Sequence, residues 1–381
     1  MDFSFREEQI ALKKEIIRFA QNELNVDLVR REKDGYFSKE NWKKCAAFGV
    51  QGLPFAKEFG GQEADIITTM LAMEGLGYGC RDSGLLFGIN AQMWSVQMPI
   101  EEFGTEEQKR KYLPGLISGD LIGAHGMTEP DSGSDAFSLN ARAERKGDCY
   151  VLNGSKTFVT NGPVAEVFLV FATIDKAKAF MGVTAFLVEK GAAGFRVGPN
   201  MSKMGLKTST ICELFFDDCA IPVESRLGRE GLGAAIFQSS MEWERSAILA
   251  NYIGAMEHQL ERCVRYANER RQFGKPIGKF QSVANKIVDM KLRLETSRLL
   301  LYNVAWMKKT YGKCPMEAAL AKLHLSESWL ASCQDAIRIH GGYGFMAEYE
   351  LERDLRDSFG GVLYSGTSDI QRNIIARYLG L

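Results

Sequence analysis

Four short segments carry residue types that could do chemistry. The first is MTEPDSGSD, Met127–Asp135. Its proline and two glycine/serine steps predict a tight loop rich in backbone N–H and hydroxyl donors. Such a loop could hold the polar atoms of a flavin or of a substrate amide, or it could be an ordinary polar loop. The second is RRQFGKPIGKFQ, Arg270–Gln281. Arginine pairs bidentately with a pyrophosphate and a nearby aromatic side chain stacks on a ring; the same spacing also suits a solvated charge cluster at a helix end. The third is HGGYGF, His340–Phe345, whose glycines could simply end a helix. The fourth is YSGTSDIQR, Tyr364–Arg372, where Thr367 or Ser368 could be a plain helix N-cap.

Other chemistries find no support. Gly231-Leu232-Gly233 and Gly75-Leu76-Gly77 start glycine-rich patterns, but Ile236 and Cys80 occupy the sixth positions. Neither opens a βαβ unit, so a Rossmann dinucleotide site is not expected. The four histidines, His125, His258, His324 and His340, are scattered and form no metal motif. Eight cysteines without a CxxC pair suggest buried thiols in a reducing compartment rather than a disulfide framework. A net charge of -1 argues against a general nucleic-acid binder. The opening run MDFSFREEQIALKKEIIRFA lacks the long apolar core of a signal peptide, and no apolar run reaches membrane-spanning length. The cytoplasm is the simplest address.

The elements that must position these segments follow from the pattern. At 381 residues the chain exceeds the roughly 250–300 residues at which single cores stop growing, so several packed domains are expected. Ser4 and Glu7 form an S-x-x-E capping box, and Leu12, Ile16, Phe19 and Ala20 then share a helical face. Helical pattern continues to about residue 120, broken near Phe59–Gln62 and at Pro114-Gly115, giving an all-α segment over 1–121. Short β-prone runs follow: CYVLNGSKTFVT with a hairpin signal at Asn153-Gly154, a second turn at Asn161-Gly162, then Glu166–Ile174, Val183–Gly191 and Cys212–Pro222. They predict an antiparallel β-domain over 122–233. Long helices return at Ile236–Leu260, Lys286–Thr310 and Met316–His340, with a shorter one at Ser368–Tyr378, predicting a helical bundle over 234–381. The fold class is α+β.

In this order and at these separations, the motifs resemble the acyl-CoA dehydrogenase superfamily over essentially the whole chain. TEPDSGSD, FVTNG (Phe158–Gly162), RRQFGKPIGKFQ, QDAIRIHGGYGF and YSGTSDIQR carry the likeness. The resemblance implies an N-terminal helical domain, a middle β-domain, a C-terminal four-helix bundle, and FAD lying between the last two and reaching a neighbouring subunit of a homotetramer. It implies His125, Met127, Thr128, Gly133 and Ser134 along the flavin ring, with Phe158 and Thr160 on the other side. Arg270, Phe273 and Gln281 would contact the dinucleotide across the subunit boundary, as would Arg338 to Gly342, including Gly341. Thr367 and Ser368 would hold the pyrophosphate or ribityl region.

Three positions depart from the family pattern. Phe158 stands where tryptophan is usual, and Arg338 where many members have glutamine. Ser365 stands where most members carry the catalytic glutamate, and a serine hydroxyl cannot replace that base. In some branches the base comes instead from an E-R pair on the helix opening the last domain. Glu244-Arg245 matches that pair, so the resemblance assigns Glu244 as the base, with Glu242 the rival carboxylate. A helix-face glutamate paired with an arginine is the bland alternative. The backbone N–H of Ser365 would help hold the thioester oxygen, Ser134, Arg245, Tyr364 and Gly366 would contact substrate, and Trp243 would help dry the helix end. SMEWER, Arg271–Glu295 and SGTSDIQ further resemble the L-prolyl-carrier-protein dehydrogenases (oxidases) of natural-product biosynthesis. That branch implies a proline thioester on the phosphopantetheine arm of an acyl or peptidyl carrier protein, oxidised to a pyrroline or pyrrole, with oxygen or an electron-transfer flavoprotein as electron acceptor. The alternatives are a short- or branched-chain acyl-CoA dehydrogenase and a non-catalytic flavin or acyl-carrier binding protein.

Overall fold

The computed structural model describes residues 4–381. Seven helices come first: α1 (Glu7–Glu23), α2 (Leu28–Asp34), α3 (Lys39–Phe48), α4 (Ile66–Gly79), α5 (Ser83–Gln92), α6 (Met98–Phe103) and α7 (Glu106–Ile117). A single π-helical segment, Met93–Gln97, joins α5 to α6 without a break in the chain's helical path. The expected box at Ser4 and Glu7 is displaced. Arg6 occupies the N-cap, and Gln9 reaches back to accept from its N–H at 2.9 Å. A tertiary contact selects this start, since the Gln9 amide also donates to Thr68 on α4 at 2.8 Å. Pro114-Gly115 does not interrupt α7, which runs on to Ile117.

Eight strands follow: β1 (Gly123–Gly126), β2 (Arg142–Lys146), β3 (Cys149–Thr160), β4 (Val167–Thr173), β5 (Val183–Glu189), β6 (Phe195–Val197), β7 (Ile211–Pro222) and β8 (Arg226–Leu227). Their order is β6-β7-β3-β2-β4-β5-β8, with β1 beside β4. Most pairings are antiparallel; β1 and β2 run parallel to β4. Asn153-Gly154 is not a hairpin turn. β3 continues through it, with a register shift against β7 between Leu152 and Gly154. Gly154 takes φ 133°, and a Cβ there would lie 2.7 Å from the Ala141 Cα, so the glycine serves a bulge and a close backbone approach. The hairpin turns instead at Gly147-Asp148, where Lys146 pairs with Cys149.

The chain ends in helices α8 (Gly233–Ala247), α9 (Ala250–Glu269), α10 (Gln281–Tyr311), α11 (Pro315–His340), α12 (Leu351–Gly361) and α13 (Ser368–Tyr378), with a small hairpin of β9 (Arg271–Gln272) and β10 (Lys275–Pro276) after α9. The expected helix Ile236–Leu260 is two helices, broken at Ile248 and Leu249, both of which are buried. No element was assigned from sequence to the stretch that forms α12, on which Arg353 and Asp357 are buried. Helix α11 packs against α8, α9, α10, α12 and α13. Helices α4 and α9 cross closely at glycines: a Cβ on Gly77 would sit 1.9 Å from the Asn251 carbonyl oxygen, and one on Gly254 would sit 1.9 Å from that of Glu74. One continuous apolar core joins the early helices, the sheet and the bundle. Among the described residues no helix is long and apolar enough to cross a membrane. None of the eight cysteines is paired.

Candidate active site

Helix α8 carries Glu244 into the interior, where its side chain meets two hydroxyls from segments far apart in the chain. Ser95, on the π-helical segment, donates to one carboxylate oxygen. Ser365, on the turn before α13, donates to the other at 2.8 Å. Burial pushes the carboxyl above the usual glutamate range, while the two hydroxyl donors and the neighbouring Arg245 charge oppose that rise. Among the described residues no cation forms an ion pair with it. Glu242, two residues earlier, differs: it pairs with Lys308 at 2.8 Å and accepts from the Cys314 N–H at 3.1 Å.

The turn that presents Ser365 is held from its carbonyl side. That oxygen accepts from Arg245 Nε at 3.3 Å and from Gln371 Nε2 at 3.1 Å. Ser365 sits at φ 54° and Gly366 at φ 87°, a left-handed pair that turns the backbone sharply. The Ser365 N–H has no acceptor among the described residues. Tyr364 donates to the Tyr252 hydroxyl at 2.8 Å, and its ring packs on Phe87 at 4.7 Å. Trp243 stacks on Trp94 at 5.5 Å and donates to Glu102 at 2.9 Å, covering one side of α8.

The Met127–Asp135 loop reaches the same region through β1. His125 stacks on Phe237 of α8 at 5.9 Å, two helical turns before Glu244, and meets Phe171 edge-on at 5.2 Å. Burial and the nearby Lys156 charge hold its imidazole down to about 4, and its Nε2 is sealed without a partner among the described residues. Met127 is buried; its carbonyl accepts from Lys156 Nζ at 3.1 Å, while the Thr128 carbonyl accepts from the Thr157 N–H at 2.8 Å. Glu129 accepts from Lys156 at 2.7 Å and from the Asn140 and Ala141 N–H groups at 2.6 and 3.0 Å. Gly133 and Ser134 lie exposed on the loop. Phe158 is 62% exposed at φ 55°, beside a second bulge in β3, and Thr160 is half-buried at the strand's end.

The remaining expected residues form a separate, outward-facing cluster. Phe273 is 93% exposed at the tip of the β9–β10 hairpin, and Arg270 and Gln281 are also exposed. The Arg270 guanidinium lies over the Tyr343 ring at 5.5 Å, which links the hairpin to the Gly341-Gly342 turn. Arg338 leans on Asp335 at 3.4 Å, and both glycines are exposed. None of these side chains touches Glu244. Thr367 caps α13, accepting from the Ile370 N–H at 3.3 Å, and the buried Ser368 hydroxyl has no partner among the described residues.

Sequence reasoning missed Ser95, Lys156 and Glu129. The last two lie in or beside quoted motifs, and a lysine inside a β-prone run was a usable signal. Ser95, in the apolar run MWSVQ, offered none.

Comparison with known proteins gives a consistent result. The chain matches the profiles described as acyl-CoA dehydrogenase N-terminal domain over residues 6–120, middle domain over 124–219 and C-terminal domain over 231–380. It is 44% identical to an L-prolyl-[peptidyl-carrier protein] dehydrogenase of Pseudomonas fluorescens, covering 92% of each chain. The crystal structure of the prolyl acyl carrier protein oxidase AnaB superposes with a TM-score of 0.98 at 50% identity, covering 99% of this chain and 100% of that one. PigA with FAD and proline gives 0.97 at 42%, covering 100% of both. With all three profiles matched in order along the chain, and relatives more than 40% identical over nearly its whole length, this chain belongs to the acyl-CoA dehydrogenase family.

Proposed function

We propose that this chain is an FAD-dependent oxidase or dehydrogenase of an L-prolyl thioester held on the phosphopantetheine arm of a carrier protein. One observation carries the reading: Glu244 is a buried carboxylate held by hydroxyls and free of any cationic partner among the described residues. A carboxylate kept in an ion pair is a poor base, whereas one raised by burial moves toward the basicity that Cα–H removal needs.

The residues present fit a flavin dinucleotide. The sealed His125 Nε2 and Ser368 hydroxyl lack partners among the described residues, as buried polar atoms awaiting a polar group would. Along the ring system, His125, Met127, Thr128, Gly133, Ser134, Phe158 and Thr160 are the candidates. Thr367 and Ser368 would serve the pyrophosphate or ribityl portion. Arg270, Phe273, Gln281, Arg338, Gly341 and Gly342 would serve a dinucleotide across a subunit boundary, which fits their outward exposure. FAD, when bound, supplies the acceptor for the hydride.

The chain's own residues supply the rest. Glu244 takes the Cα proton on a carboxylate oxygen. The unengaged Ser365 N–H donates to the thioester oxygen as negative charge gathers there. Arg245 and Gln371 fix that N–H by holding the carbonyl of the same residue. Ser134, Tyr364 and Gly366 line the approach, and the Trp94–Trp243 stack helps exclude water. The same reading includes three units over 1–121, 122–233 and 234–381, a homotetramer, a cytoplasmic address supported by unpaired thiols, and reoxidation by oxygen or an electron-transfer flavoprotein.

The test is incubation of the purified yellow protein with prolyl-loaded carrier protein and, separately, isovaleryl-CoA. Mass spectrometry reads the hydrogens lost. Oxidation of the prolyl thioester supports the reading; turnover of the CoA ester alone overturns it. Glu244→Gln should keep bound flavin and lose about 10²–10⁴ of turnover. Unchanged turnover would remove Glu244 as the base.

A further inference from the structure

We propose that Ser95 is a positioning residue for the base: its hydroxyl, presented by the π-helical turn Met93–Gln97, aims and tunes the Glu244 carboxylate. This rests on Glu244 being the base.

The geometry is a two-sided clamp. Ser365 and Ser95 each donate to a different oxygen of Glu244, so the carboxylate plane cannot swing about its last torsion without losing a hydrogen bond. Ser365 lies on a short turn anchored through its carbonyl. Ser95 is fully buried, and its segment is pinned by neighbours: Gln97 donates to the Gln51 carbonyl at 3.0 Å, and the Trp94 indole donates to Asn90 at 2.9 Å. A π turn advances the side chains around the helix axis differently from an α turn, and such single turns frequently mark functional positions. Here it lies where the Ser95 hydroxyl meets α8.

Other charged or titratable groups surround α8 in this region. Among the described residues Arg245 is the one cation whose charge bears on Glu244; it favours the anion together with the two hydroxyls but forms no ion pair with it. Glu242 is neutralised by Lys308 of α10, and Glu102 of α6 is engaged by Ser239 and Trp243. Lys322 of α11 lies near Arg245, and Tyr364 is bonded to Tyr252. Among the described residues the two hydroxyls are therefore the groups that bond directly to the carboxylate and stabilise the anion against burial. Removing one should make Glu244 harder to ionise and leave it free to rotate.

The decisive experiment measures kcat/KM against pH with prolyl-loaded carrier protein for the parent, Ser95→Ala and Ser95→Thr, each purified with FAD. In Ser95→Ala the acid limb should move up by about one pH unit, with a loss of about tenfold on that limb. Ser95→Thr keeps a hydroxyl and should return the limb toward the parent position. Flavin content and thermal midpoint, measured alongside, report folding. If Ser95→Ala does not fold, Ser95→Cys replaces it; the thiol is a weaker donor, and the limb should again move up. An acid limb that stays in place in the folded Ala or Cys variant overturns the proposal. So does a Ser95→Thr enzyme that behaves like Ser95→Ala. Full activity of Glu244→Gln would instead remove the base itself, a failure of the functional reading that this series separates from failure of the clamp.

Discussion

Lys156 and Glu129 form an ion pair at 2.7 Å with both side chains sealed from solvent, joining the interior of β3 to the loop that carries TEPDSGSD. Burial brings the ammonium down to about 8, with Glu129 opposing that shift. Breaking one half of a buried pair leaves an uncompensated charge and costs about 3–5 kcal/mol. Glu129→Gln should therefore lose stability on that scale in urea titrations and release FAD more readily, read by flavin fluorescence. The double variant with Lys156→Met should recover part of the stability, because the stranded charge is gone.

Glu242 and Glu244 should separate cleanly by substitution. Glu242→Gln strands the Lys308 ammonium, which is nearly buried and also lies 4.0 Å over the Trp243 ring. A loss of about 3 kcal/mol is expected in a denaturation curve. Turnover per folded molecule should stay near that of the parent. A Glu242→Gln enzyme that folds as the parent does but is inactive would transfer the role of base to Glu242.

A pH effect on stability is expected from Asp357 of α12. Burial raises its carboxyl from 3.8 to about 7, although it accepts from the Leu206 N–H at 2.5 Å. Between those values the folded protein holds a proton that the unfolded chain has lost. The contribution is fully present below the lower value and is lost as pH rises through the higher one, by up to about 1.4 kcal/mol per unit. Asp357→Asn keeps an acceptor oxygen and removes the titration. Urea midpoints at pH 5 and pH 7 should differ less in the variant than in the parent.

The α4–α9 crossing should tolerate no side-chain growth. At both Gly77 and Gly254 the obstacle is backbone, which cannot move aside as a flexible side chain can. Gly77→Ala should cost at least the roughly 1–3 kcal/mol typical of overpacking. A thermal midpoint equal to the parent's would show that the two helices can part without penalty.

Much of this architecture was legible from residue order. The face of Ile16 and Ala20 follows from an apolar period of 3.6 and the first half of β7 from alternation, whereas β4 and β5 are short continuous β-branched and aromatic runs buried on both faces; all are local properties, and α13 spans the expected Ser368–Tyr378. Asn153-Gly154 was misleading because the same dipeptide serves a hairpin turn or a bulge. The choice lies with β7, which pairs along β3 on both sides of it. The single helix expected over Ile236–Leu260 failed for a related reason: its break falls at two buried apolar residues, and no local breaker marks it.

By itself the sequence determined the order of helical, β-rich and helical segments, the motifs that carry the family likeness, and the absence of the usual glutamate at Ser365, since each is written in neighbouring residues. Only the tertiary structure decided that Ser95, Glu244 and Ser365, up to 270 positions apart (365 minus 95), share one buried cluster, and that Glu242 is committed to Lys308. Proton affinity depends on burial and on donors brought in from distant elements, and no local pattern of residue types encodes those.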